Sequence, residues 1–338
     1  MFYIFYAAAP IAFAHAIPGP GLRVAVVMLV VIAVQPLVPL LGRRVTSRRQ
    51  IVVVAVAMMG TGSAAIPFFE QWPGQMLLAI GFGFFVVASV AWVKETAPPG
   101  SLGKALGIYG FGSAIGGAVG APIGIYLIER FGLSGIAIAG AIVAFAAALL
   151  AVRTKQAACS GTLGSHAGSH AGQTDTTTLQ RAPAQTGRVA TTVTLLGHVG
   201  AVTIYASVLS SLAIAPLGAS IWATTGSAFV VQAFLATGRM IGGAAGSRRP
   251  RIPLGLPAFA VLAVSAVAFS MSTHPLQALS LSILVGFTAG ICQTAALTSL
   301  MSRAAGPVRA DRASAAWNIC FDIGLGLGAL TASTTPPR

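Results

Sequence analysis

Residues 102–153 read LGKALGIYGFGSAIGGAVGAPIGIYLIERFGLSGIAIAGAIVAFAAALLAVR, and the solvent this stretch requires decides the fold. Its charged residues, Lys104, Glu129, Arg130 and Arg153, stand at the two ends and beside the middle. They leave two apolar runs, 102–128 and 133–153. A helix that crosses a bilayer takes about 20 apolar residues, and in hydrocarbon the backbone must satisfy its own hydrogen bonds. Two such runs in succession predict two membrane-spanning helices.

The same grammar extends outward in both directions. Apolar runs recur at 1–17, 22–42, 50–69, 75–95, 189–212, 221–246, 252–271, 276–301 and 312–333, giving eleven spans with the two above. The chain is 56% hydrophobic and 8% charged, against about 25% charged in a soluble domain, so lipid must cover much of it. One long polar stretch, 154–188, is rich in Ser, Thr, Gly and Gln and reads as a flexible linker between two halves, 1–153 and 189–338.

The net charge of +14 does not indicate nucleic acid, because the basic residues sit in short clusters between apolar runs. Counting loops alternately from the one after the second span places 17 of the 20 Lys and Arg residues on a single side. Basic residues accumulate in cytoplasmic loops, so that side, with the linker, is predicted to be cytoplasmic. Only Arg23, Arg130 and Arg338 fall on the other. Trp72, Trp92 and Trp222 stand near span ends, as an interfacial aromatic belt requires.

Small residues let helices approach closely in lipid. Gly112, Gly116, Gly120 and Gly124 recur every four residues along the fifth span, with a local distortion expected at Pro122. The eighth span repeats the device with Gly238, Gly242 and Gly246. The expectation is a close helix–helix contact between the halves, or equally plain tight packing in a chain with 40 glycines.

These features resemble the major facilitator superfamily. The loop VPLLGRRVTSRR (38–49) is similar to the family's Gly-and-Arg loop between helices two and three, without its usual acidic residue. ATGRMIGGAAGSRRPR (236–251) resembles the same loop in the second half. FGSAIGGAVGAPIGIYL (111–127) is similar to the antiporter signature of efflux members, with Gly120-Ala121-Pro122 in place of a Gly-Pro step. KETAPPGSLGKALGIYG (94–110) resembles the loop into helix five. RASAAWNICFDIGLGLGA (312–329) resembles drug- and sugar-efflux members. The resemblance implies an all-α membrane fold of two pseudo-symmetric bundles with about eleven of twelve helices, the first short and the twelfth missing. It implies secondary transport across the plasma (inner) membrane: proton-coupled efflux of a drug- or sugar-type solute. Import by the same fold, and a remnant that does not transport, stay open beside it.

Ionisable groups within a membrane are expensive and mark function by default. Asp322 lies ten residues past Arg312, about 15 Å deep at 1.5 Å per residue, near the middle of a hydrocarbon core about 30 Å thick. It is a candidate proton-coupling or substrate-cation site, with Asn318 one turn earlier on the same face; a packing role is the alternative. Arg239 is read as a contact at the inner end of the eighth span, either gating or snorkelling to headgroups. His15 and His198, in the first and seventh spans, and Gln232 and Gln293, in the eighth and tenth, are candidate cavity residues or helix–helix bonds. Trp317 is read mainly as packing. Glu70, Glu129 and Arg130 are read as outer-face charges.

The partners implied are the bilayer, a small-molecule solute and protons. No cofactor is expected. His166 and His170 are four apart, but the Gly/Ser surroundings argue against a helical metal pair. Cys159, Cys292 and Cys320 have no metal or pairing pattern. No HExxH motif, clustered ionisable residues or phosphate-binding GxxxxGK loop supports an enzyme or an ATP-driven pump.

Overall fold

The computed structural model describes residues 4, 20–41, 47–68, 72–154, 184–214, 221–248 and 255–334. Span one lies outside these apart from Ile4, and His15, Glu70, Cys159, His166 and His170 lie outside them altogether. The described residues form helices wherever spans two to eleven were predicted. In chain order they are α1 (Pro20–Val34), a 3-10 turn (Gln35–Leu37), α2 (Val38–Leu41), α3 (Arg48–Ala65) and α4 (Trp72–Thr96). There follow α5 (Leu102–Arg153), α6 (Ala184–Ile214), α7 (Ile221–Arg248), α8 (Gly255–Met271), α9 (Pro275–Arg303) and α10 (Pro307–Thr334).

Five described segments are long and apolar enough to cross a membrane: Trp72–Thr96, Leu102–Arg153, Arg188–Ser211, Ala228–Ser247 and Pro275–Arg303. α1 and α8 are apolar but shorter. α3 and α10 carry more polar and charged residues, and they use them against neighbouring helices, as described below. Large apolar side chains such as Ile138, Ile142, Leu150, Leu196 and Val264 point outward, more than 60% exposed, as lipid-facing surfaces require.

α5 comprises the two predicted spans of residues 102–153. Their boundary is Gly132, whose φ of 64° and ψ of −162° break the helical path. A left-handed φ suits glycine because it has no Cβ. The expected distortion at Pro122 is absent, since the dihedrals remain helical there. The arm before Gly132 packs on α7. The arm after it packs on α3, where a Cβ at Gly60 would touch Ala144 and Phe145, and Ser63 Oγ donates to the Ala137 carbonyl at 3.1 Å.

The apolar core divides by sequence. Tyr205, Val231, Leu235, Leu262, Val285 and Cys292, in the helices after the linker stretch, form one cluster that Ala114 of α5 joins. Met59, Ile66, Leu78 and Ile136 form another in those before it. A third cluster unites both sets: Val90, Ala91 and Leu106 pack with Leu297, Leu300, Met301 and Trp317. This shared core lies toward the end of the molecule where α4, α9 and α5 terminate near Thr96, Arg303 and Arg153.

Candidate functional site

A cavity of about 1130 Å³ lies between the two sets of helices. Its wall is mostly apolar, with Met28, Ile32, Met59, Phe82 and Phe85 from the earlier helices and Leu297, Phe321 and Leu325 from the later ones. Its polar groups are few: Tyr109, Ser113, Arg239, Gln293, Thr294, Asn318 and Asp322, with the Trp317 indole. Four of the sequence-predicted residues, Asp322, Asn318, Gln293 and Arg239, therefore meet in one space.

Asp322 projects from the middle of α10. Its Oδ2 accepts a hydrogen bond from Gln35 Nε2 at 2.8 Å, which joins α10 to the 3-10 turn of the opposite half. Gln35 is fully buried, and its Oε1 finds no protein donor. Pro36 helps set the tight turn that breaks α1 here and aims Gln35 across the interface. Asn318, one turn before Asp322, donates to the Val86 carbonyl of α4 at 3.3 Å and to the Ser314 carbonyl at 2.9 Å.

Arg239 corrects its expected position. It does not snorkel from a helix end but lies nine residues inside the α7 terminus at Arg248, about 13 Å along the axis. It is 6% exposed. Its Nε donates to Gln293 Oε1 at 2.9 Å and its Nη1 to the Gly110 carbonyl at 3.1 Å. The second of these crosses from α7 to α5. The guanidinium also lies 5.9 Å from the centroid of the Phe321 ring. Gln293 is fully buried, and its Nε2 finds no protein acceptor.

Trp317 is more than packing: it lines the cavity and donates from Nε1 to the Gln293 carbonyl at 3.3 Å. His198 lies behind it, 1% exposed, stacked on the indole at 4.8 Å and on Phe321 at 6.2 Å, so it reaches the cavity through these two rings. Gln232 is not in the wall; it accepts a hydrogen bond from Tyr205 at 2.6 Å and ties α7 to α6.

The glycine pattern resolves into distinct roles. Gly112 and Gly116 border the cavity, and nothing lies within 4 Å of where a Cβ would stand. Gly120 is buried, and Gly124 is pressed against the Ile4 carbonyl. Gly238 and Gly242 face α9 at Phe287 and Ile291, within their own half, whereas Gly246 faces open space. The close contact between halves is made by other glycines. A Cβ on Gly107 would come within 2.9 Å of the Arg239 carbonyl and 3.0 Å of Gly243 Cα, and one on Gly103 within 2.7 Å of the Gly243 carbonyl.

Beyond the cavity wall, three charged residues to which the sequence assigned no role come together. Arg48, at the start of α3, bonds the Asp311 carboxylate of α10 at 2.8 Å and Glu95 of α4 at 3.0 Å. Arg48 and Asp311 are 8% and 0% exposed. Lys94 donates to the Ala304 carbonyl, and Ser314 to the Val87 carbonyl at 3.0 Å. Scarcity was the available signal. The chain has only six acidic residues, and Glu95 and Asp311 both border basic residues on the linker side.

The comparisons agree with this architecture. The E. coli fucose:proton symporter FucP superposes with a TM-score of 0.64 at 15% identity, covering 98% of this chain and 88% of that one. A second FucP structure, in the outward conformation, gives 0.63 at 14% identity over 97% and 89% of the two chains. The human organic anion transporter MFSD10 (TETRAN) gives 0.63 at 16% identity over 97% and 83%. No curated protein sequence matches the chain. The family model of the Major Facilitator Superfamily matches residues 1–329, and with helices that enclose a cavity between two bundles the chain is a member of that superfamily, an integral multi-pass membrane protein with the fold of a secondary transporter.

Proposed function

We propose that this chain is a proton-coupled secondary transporter of a small organic solute, with Asp322 as its proton site. The observation that carries the reading is the Asp322–Gln35 hydrogen bond at 2.8 Å, made at the cavity wall between the two halves. A carboxylate there is an acceptor only, and the Gln35 amide donates to it; protonation converts one carboxyl oxygen to a donor. Taking up a proton thus changes a bond between the bodies that must move apart. That is the coupling alternating access needs: a ligand must bind two conformations differently in order to shift them.

The solute would occupy the cavity between Phe82, Trp317 and Asp322. By name the two structural neighbours carry fucose with a proton and organic anions, which fits a small organic cargo. The Arg48–Asp311–Glu95 cluster would be the gate at the linker end, which we assign to the cytoplasmic face of a plasma (inner) membrane from the charge asymmetry. We assign export from the likeness of residues 111–127 to the antiporter signature.

Reconstituted vesicles test the reading. Asp322→Asn should abolish solute movement driven by an imposed proton gradient while solute counterflow, which needs no net proton transfer, persists. Unaltered proton-driven movement in that variant would remove Asp322 from the coupling. An imposed gradient of either sign separates export from import. The absence of counterflow for every sugar, dye and organic acid tried would sink the transport reading itself.

A further inference from the structure

We infer that the cavity selects solutes carrying a compact anionic group, a carboxylate above all, on an apolar or aromatic body, and that Arg239 and Gln293 hold the anion. The inference rests on the transport reading above, in which Asp322 is the proton site and accepts its hydrogen bond from Gln35 of the opposite half.

Arg239 Nε and Nη2 both donate to Gln293 Oε1 and Nη1 donates to the Gly110 carbonyl, neutral oxygens that fix the guanidinium plane at the cavity wall and leave its charge unneutralised by them. A guanidinium held in place loses little freedom on meeting an anion. Beside it, Gln293 Nε2 is a buried donor with no protein acceptor. Such a donor costs free energy unless something supplies an oxygen. One anionic group accepting from both residues satisfies it. The same wall offers the Trp317 and Phe321 rings, 5.6 Å apart and stacked, and Met28, Met59 and Phe82 complete an apolar lining. A cationic dye would meet the guanidinium.

The test uses the purified full chain in lipid nanodiscs and titration calorimetry with 4-phenylbutyrate, 4-phenylbutan-1-ol and 4-phenylbutylamine, which share one body and differ in head. The carboxylate should bind about tenfold or more tightly than either relative, the effect of one or two charge-assisted hydrogen bonds. Arg239→Gln should erase the preference, lowering carboxylate affinity about tenfold or more to that of the alcohol. Alcohol or amine binding equal to that of the carboxylate overturns the inference, and the wild-type series alone can show this if the variant does not fold. A carboxylate preference that survives in Arg239→Gln overturns the assignment to Arg239. Selective binding without any movement across vesicles sinks the transport reading and leaves the anion site standing, whereas transport with no preference for carboxylate does the reverse.

Discussion

At the scale of single residues, the cavity depends on polar side chains placed where hydrocarbon surrounds them, each of which must find a partner. Gln35 is the partner of Asp322, and a hydrogen bond to a charged group contributes about 1.5–3 kcal/mol. Gln35→Leu removes the donor and keeps the volume. Proton-driven transport in this variant should change its pH dependence, while Gln232→Leu, which breaks only the bond to Tyr205 inside one half, should lower thermal stability and leave the pH profile alone. Vesicle uptake measured across a pH series decides between them, and identical profiles for the two variants would argue against a role for the cross-half bond. Asp322, Asn318, Gln293 and Arg239 were legible in the sequence because any polar residue inside an apolar run stands out. Their partners were not. Gln35 stands out by the same rule, but which helix face meets which neighbour is decided by tertiary packing. Arg239 was misplaced because the apolar run around it suggests a helix end wherever an arginine occurs, whereas the carbonyl of Gly110 and the amide of Gln293 keep it inside.

At the scale of helices, glycine spacing was visible but its use was not. A repeat every four residues marks one face of a helix and leaves open whether that face meets another backbone or an empty space. In α5 two faces serve differently: Gly103 and Gly107, outside the repeat, approach Gly243 of α7, whereas Gly112 and Gly116 of the repeat front the cavity. The two pairs should therefore respond differently to the same methyl group. At Gly107 the new Cβ would lie within 3.0 Å of the α7 backbone, which cannot rotate away as a side chain can. Gly107→Ala should push α5 and α7 apart and lower stability by about 1–3 kcal/mol, the usual penalty of overpacking. Gly116→Ala meets open space, so the fold should hold. Detergent melting curves read the first effect. Equal melting of both variants would show that the Gly103–Gly107–Gly243 crossing is not the tight contact between the halves.

At the scale of the whole molecule, two claims can be tested together: that the Arg48 cluster closes one end, and that this end shares a side with residues 154–188. The helix pattern was legible because the cost of bare backbone in lipid permits little else, and the arginine asymmetry gave it a direction. The cluster was not legible, because Arg48 and Glu95 lie 47 residues apart and Asp311, 263 residues from Arg48, joins them only across the halves. With Arg48 and Asp311 both nearly inaccessible, removing the arginine leaves a buried carboxylate uncompensated, a loss of about 3–5 kcal/mol concentrated in the closed arrangement. Arg48→Ala should thus favour opening at the linker end. In a background without Cys159, Cys292 and Cys320, a cysteine replacing Leu297 in the cavity should become reactive to an impermeant maleimide from the side that labels Ser169→Cys. The same reagent should reach Phe68→Cys, between α3 and α4, from the opposite side. If Leu297→Cys gains no reactivity in the Arg48→Ala background, the cluster does not govern access. If Ser169→Cys and Phe68→Cys label from one side, the alternation of the helices is wrong, and no gate or cavity built on it can stand.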